Sequence, residues 1–149
     1  MQALLVESLS PDLSGVRLAD LPAPQRQAGE VLVDIRAASL NFPDLLMTRG
    51  EYQFKPPVPF ISGLEFAGEV LEADAASTFK PGDLVMGGQK TGAFAELACV
   101  DARALRLIPP GLDCPTAAAL GAAYGTAYTA LVELGGITAG QWVLVHGAT

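Results

Sequence analysis

The chain has 149 residues, half of them hydrophobic, and a formal charge of −7. That length suits one domain of ordinary size, and the composition supplies a core too apolar for a disordered segment. Its nine Lys and Arg residues are never adjacent, so the basic face that nucleic-acid binding requires is missing, although a phosphorylated cofactor needs only a few local groups.

The first two-thirds predict short strands separated by turns. Residues 3–6 open the series, and residues 30–37 alternate around β-branched positions, as a strand with one buried face does. Residues 63–71, 83–86, 92–100 and 105–108 continue it. The breaks fall at Pro22-Ala23-Pro24, at 56–59, at 80–83 and at 109–111, where proline offers no ladder donor and glycine reaches positive φ. Many short strands with frequent turns predict a barrel or sandwich. After Pro110 the pattern becomes helical. Asp113 suits an N-cap with Pro115 in the first turn, an alanine-rich helix spans 116–123, and a second runs from 126 to 134 before Gly135-Gly136. Residues 141–147 then read as an apolar strand delivered to Gly147, the way a dinucleotide-binding βαβ unit opens. Its further glycines, following helix and acidic ribose-binding residue are not in the sequence, so the expectation is a cofactor domain that begins and is cut off. The two units are expected at 1–115 and 116–149.

Only Cys99 and Cys114 occur, with no Cys-x-x-Cys pair, so a disulfide framework is not expected and two thiols cannot make a four-thiolate zinc site. Both read as small packing residues. No stretch approaches the ~18 apolar residues of a membrane span, and the N-terminus lacks a basic start followed by a long apolar run. A soluble cytoplasmic protein without a membrane partner is expected.

Asn41-Phe42-Pro43-Asp44, Gly63-Leu64-Glu65-Phe66-Ala67-Gly68, Lys80-Pro81-Gly82-Asp83-Leu84-Val85, Gly92-Ala93-Phe94-Ala95-Glu96 and Gly125-Thr126-Ala127-Tyr128 follow one another in this order. Together they resemble the medium-chain dehydrogenase/reductase superfamily over essentially the whole chain, closest to its quinone oxidoreductase (zeta-crystallin-like) branch. The resemblance implies a mainly β fold: a GroES-like β-barrel catalytic domain followed by the first helix and strand of a truncated Rossmann domain, with the active site in the cleft between the two. It implies an NADPH-dependent reductase of quinones or α,β-unsaturated carbonyls that takes a small-molecule substrate and pairs as a homodimer through the Rossmann domain. The portion in this sequence would by itself be inactive. An enoyl-CoA or acryloyl-CoA reductase of the same superfamily, or a non-catalytic GroES-like scaffold, stays open beside that reading.

Zinc-dependent members place a cysteine where Asn41 stands and Gly-His-Glu where this chain has Gly63-Leu64-Glu65. Leucine offers a metal nothing, and an amide oxygen is a poor substitute for thiolate, so no zinc chemistry is expected. Hydride transfer would then favour conjugated acceptors, inside an apolar slot expected from Phe42, Leu45, Leu46, Tyr52, Phe54, Phe60 and Phe66. By resemblance, Asn41 lies near the nicotinamide ribose or the substrate; its other reading is a turn residue. Tyr52 could supply a phenolic donor or simply pack. Thr126 would hold the nicotinamide carboxamide, or cap a helix, or both. Gly147 would be the first glycine of the pyrophosphate turn, and His146 a strand-end residue. Asp44 and Glu65 match carboxylates that support the site through hydrogen bonds, or else cap and bridge locally. Leu46 departs from the branch, whose quinone oxidoreductases carry a tyrosine there, and so removes a candidate proton donor.

Overall fold

The computed structural model describes residues 1–147 and is mainly β. Its elements are β1 (Gln2–Val6), β2 (Val16–Asp20), β3 (Glu30–Ser39), α1 (Phe42–Arg49), β4 (Phe60–Ile61), β5 (Glu65–Glu72), β6 (Leu84–Gly88), β7 (Leu97–Asp101), β8 (Leu105–Leu107), α2 (Cys114–Ala118) and α3 (Gly121–Tyr128). A wide π-helical turn, Thr129–Leu134, continues α3. The strands form two antiparallel sheets, β2-β1-β4 and β7-β3-β5-β6-β8. Residues 94–96 join them into a barrel. The Leu4 amide donates to the Phe94 carbonyl at 2.8 Å, the Glu96 amide to the Gln2 carbonyl at 3.0 Å, and the Ile35 amide to the Glu96 carbonyl at 2.8 Å.

Three apolar clusters hold these layers. Val31, Val33, Phe66, Val70, Val85, Val100 and Leu105 fill the barrel interior. Val6, Met47 and Phe60 pack α1 against the smaller sheet, and Ala67, Ala117 and Ala118 pack α2 on the outer face of the larger one. Alanine on both sides of this last contact lets the helix lie close to the strands. The Asp113 side chain caps α2 by accepting from the Thr116 amide at 2.9 Å, with Pro115 in the first turn, as the sequence predicts.

One irregularity in β3 decides what faces the site. Val31, Val33 and Ile35 alternate into the barrel interior. Arg36 then bulges out, because Ile35 pairs with Gly68 while Ala37 pairs with Ala67. An extra residue reverses which side chains point inward. Ala37 consequently turns to the α2 face, and Ser39 is brought opposite Glu65 on β5. The bulge requires Gly68: a Cβ there would stand 2.1 Å from the Asp34 carbonyl oxygen, which is backbone and cannot swing aside.

Three expectations need correction. Residues 42–49 form a helix within what reads as a run of strands and turns. The predicted helices at 116–123 and 126–134 meet elsewhere: the break falls at Ala119-Leu120, so Gly125 and Thr126 lie inside α3 and Thr126 caps nothing. Residues 141–147, expected as the opening Rossmann strand, pair with no described strand, and Trp142 is 99% exposed. A parallel strand exists only through its neighbours, and none of the described residues pairs with this segment. Ala148 and Thr149, the end of that expected motif, lie outside the described residues.

Replacing Gly68 by alanine forces β3 and β5 apart at the bulge. The expected loss is about 2–3 kcal/mol, the cost of overpacking a fixed backbone. It is read as a lower urea midpoint at an unchanged m-value.

Candidate active site

A cleft of about 830 Å³ opens between the barrel and the start of α3. Tyr52, Phe54, Leu64 and Met86 give it apolar walls on the barrel side, and Gly121, Ala122 and Gly125 give it a flat helical wall opposite. The Lys90 ammonium lies 5.0 Å from the centre of the Phe54 ring, within cation–π range.

Glu65 sits on the floor, 5% exposed. Its Oε1 accepts from the Ser39 hydroxyl and, at 2.9 Å, from Asn41 Nδ2; its Oε2 accepts from the Ala122 amide at 2.7 Å. The last donor belongs to the first turn of α3, where backbone amides have no partner within the helix. The helix therefore starts at Gly121 because a carboxylate from a distant strand caps it, which explains why local sequence misplaces the break. Gly121 also permits the approach, since a Cβ there would stand 3.0 Å from Oε2. Only the NH₂ edge of an amide can face a carboxylate, so this network fixes the orientation of Asn41. Asn41 Nδ2 also lies 3.1 Å from the Ser39 hydroxyl oxygen.

Asp44 is the second buried carboxylate, 1% exposed. Its Oδ2 accepts from the Asn41 amide at 2.8 Å and opens α1 with a capping box. Its Oδ1 is buried with no hydrogen-bond partner. Burial pushes the Asp44 carboxyl above the ordinary carboxylate range, and the neighbouring Glu65 charge acts in the same direction.

Of the predicted site residues, Asn41 and Tyr52 meet at this cleft, Asn41 through Glu65 and Tyr52 in the wall. Tyr52 also packs on the Val6–Met47–Phe60 cluster, and its hydroxyl bonds no described residue. Thr126 lines an adjoining groove of about 430 Å³ that shares Gly121 and Gly125 with the cleft. Gly147, at φ 66°, and His146 lie in the exposed final segment and line neither. The expected apolar slot is corrected in the same way. Phe66 belongs to the barrel interior, Phe60 to the cluster under α1, and Phe42 points to solvent. Nearness along the chain does not mean a shared face. Leu64, standing at the zinc members' histidine position, packs against the Val6–Met47–Phe60 cluster. Ser39 and the Ala122 amide are members of this hydrogen-bond network that sequence reasoning misses; the bulge that presents Ser39 has no local signature.

The family profile for the alcohol dehydrogenase GroES-like domain matches residues 27–110. Quinone oxidoreductase-like protein 2 of Mus musculus is 40% identical over 149 residues, covering 99% of this chain and 41% of the relative. Among solved structures, a probable oxidoreductase from Mycobacterium abscessus superposes with a TM-score of 0.90 at 42% identity, covering 95% of this chain and 45% of the other. The quinone oxidoreductase from Thermus thermophilus, solved also in complex with NADPH, gives a TM-score of 0.77 at 34% identity, covering 89% and 41%. The chain thus spans well under half the length of these relatives.

Because folding raises the Asp44 pKa, its titration favours the native state below the ordinary aspartate value of about 4, and that contribution is lost as pH rises through the raised native value. Asp44→Asn keeps an oxygen for the Asn41 amide and removes the titration. Urea unfolding at stepped pH should show the unsubstituted chain losing stability relative to D44N as pH climbs from about 4. A difference independent of pH contradicts the assignment.

Proposed function

We propose a function from one premise: this chain belongs to the alcohol dehydrogenase GroES-like domain family, in the quinone oxidoreductase branch of the medium-chain dehydrogenase/reductase superfamily. It is the catalytic portion of an NADPH-dependent reductase that delivers hydride to quinones or α,β-unsaturated carbonyls without zinc. The observation carrying this reading is the Asn41 amide, fixed by a buried carboxylate at the floor of a mostly apolar cleft.

The donor set supports the cofactor. A flat wall at Gly121 and Gly125 leaves room for a planar ring, Thr126 lines the adjoining groove, and Asn41 stands behind the floor, bonded to Glu65. NADPH, when bound, supplies the hydride. Asn41 orients the ribose or the acceptor oxygen, Thr126 holds the carboxamide, and the Tyr52 hydroxyl donates toward the acceptor. Apolar walls exclude water and strengthen those hydrogen bonds. Gly147 begins the pyrophosphate turn of the cofactor domain, which residues 116–149 introduce after the catalytic unit of 1–115. The absence of zinc rests on the residues themselves: an amide already bonded to Glu65 stands at the cysteine position, and an aliphatic side chain at the histidine position. Conjugated acceptors then carry the developing charge by delocalisation, as an isolated carbonyl cannot. Cytoplasmic location and homodimer formation through the cofactor domain complete the proposal.

Expressed as the full gene product, the protein should consume NADPH with benzoquinone faster than with acryloyl-CoA or a saturated aldehyde, and a chelator should leave that rate unchanged. Asn41→Ala should lower kcat/KM at least about tenfold with the quinone. Activity that chelation abolishes and zinc restores would sink the proposal. The 149-residue chain alone should bind NADPH weakly in a fluorescence titration, because the pyrophosphate and adenine contacts fall to the rest of the cofactor domain. A micromolar Kd would argue against that division of contacts.

A further inference from the structure

The geometry points to Glu65 as a positioning residue that ties the start of α3 to the orientation of the Asn41 amide, so that the two are set together. Its catalytic consequence rests on the proposed reductase reading; the coupling itself does not.

Glu65 touches three stretches far apart in sequence: Ser39 at the end of β3, Asn41 at the start of α1, and Ala122 in the first turn of α3. Few other bonds tie α3 to the barrel. The helix carries no buried side chain, whereas α2 before it is anchored by Ala117 and Ala118. All three Glu65 contacts are donors and together they occupy both of its oxygens, so its contribution is placement. Both oxygens belong to one rigid plane. A shift of α3 that drags Oε2 must rotate Oε1 away from Asn41 and Ser39, and loss of the Asn41 bond frees the carboxylate to leave Ala122. In the proposed enzyme α3 leads into the cofactor domain. Glu65 would then transmit the seating of that domain to the amide that meets the nicotinamide or acceptor.

Amide hydrogen exchange reads this without activity. The Ala122 amide lies in a first helical turn, where protection needs an outside acceptor. In the unsubstituted protein it should exchange slowly. Glu65→Gln, which cannot accept on both sides, should speed Ala122 exchange at least about tenfold, roughly the worth of one charge-assisted hydrogen bond. Asn41→Ala leaves the carboxylate in place, so it guards against a Glu65 variant that misfolds, and it should speed exchange at Ala122 as well. Unchanged Ala122 exchange in Asn41→Ala means the two arms are independent and overturns the coupling. In the full gene product, E65Q should lower kcat by about a hundredfold, the cost of misplacing reacting groups by about an ångström, and E65D should restore part of it. Slow Ala122 exchange together with an inactive unsubstituted protein would refute the reductase reading and leave the coupling standing. Full activity in E65Q would refute the positioning role.

Discussion

A carboxylate taken out of water must be met by hydrogen-bond donors, and Glu65 is almost wholly buried. Its own strand has none to spare, so the fold has to deliver them from elsewhere. One comes as a hydroxyl from β3, one as a side-chain amide from the loop entering α1, and one as a backbone amide from α3. The cleft, the helix break and the attitude of Asn41 all follow from meeting that demand. Stripping away any donor leaves a buried charge short of a partner, which costs far more than the same bond contributes in water.

Delivery of those donors depends on backbone geometry more than on side-chain chemistry. The Arg36 bulge turns the end of β3 over, so that Ser39 faces Glu65 and not the barrel interior. Gly68 makes room for the bulge, and the alanines at 67, 117 and 118 let α2 lie close enough for the chain to reach Gly121 beneath the carboxylate. Asp44, close by, meets burial differently. It has one good hydrogen bond and one orphaned oxygen, and burial drives it toward the neutral form. The donors gathered around Glu65 are thus not shared with its neighbour Asp44.

What the sequence discloses follows from which forces are local. The strands at 30–39, 65–72, 84–88 and 97–101 are legible because alternation and proline–glycine punctuation act over a few residues. So is the Asp113 cap, and so is the order of motifs that identifies the superfamily. β2 escapes a sequence reading because only Ala19 is buried in a strand paired on one side, which erases its pattern. α1 does carry a signal, an asparagine and an aspartate three apart around a proline with a left-handed Gly50 behind. The cap is legible at Asp44, but a helix of 8 residues between turn signals is too short to show itself by periodicity. The break before α3 has no local signal. It is made by Glu65, more than fifty residues upstream.

The same network bears on how the proposed reductase would work without a metal. A ligated ion does two things: it fastens its ligands to one point, and it draws electron density from the oxygen it binds. In this chain an amide and an aliphatic group stand where zinc members carry thiolate and imidazole, and Glu65 performs the fastening by linking the Asn41 loop to α3. A carboxylate already surrounded by donors has no capacity to polarise a substrate oxygen. Under the proposed reading, the developing charge must then be carried by the acceptor's own conjugation, with help from neutral donors such as Asn41 and Tyr52. The selectivity for quinones and activated alkenes and the buried carboxylate would be two consequences of the same replacement.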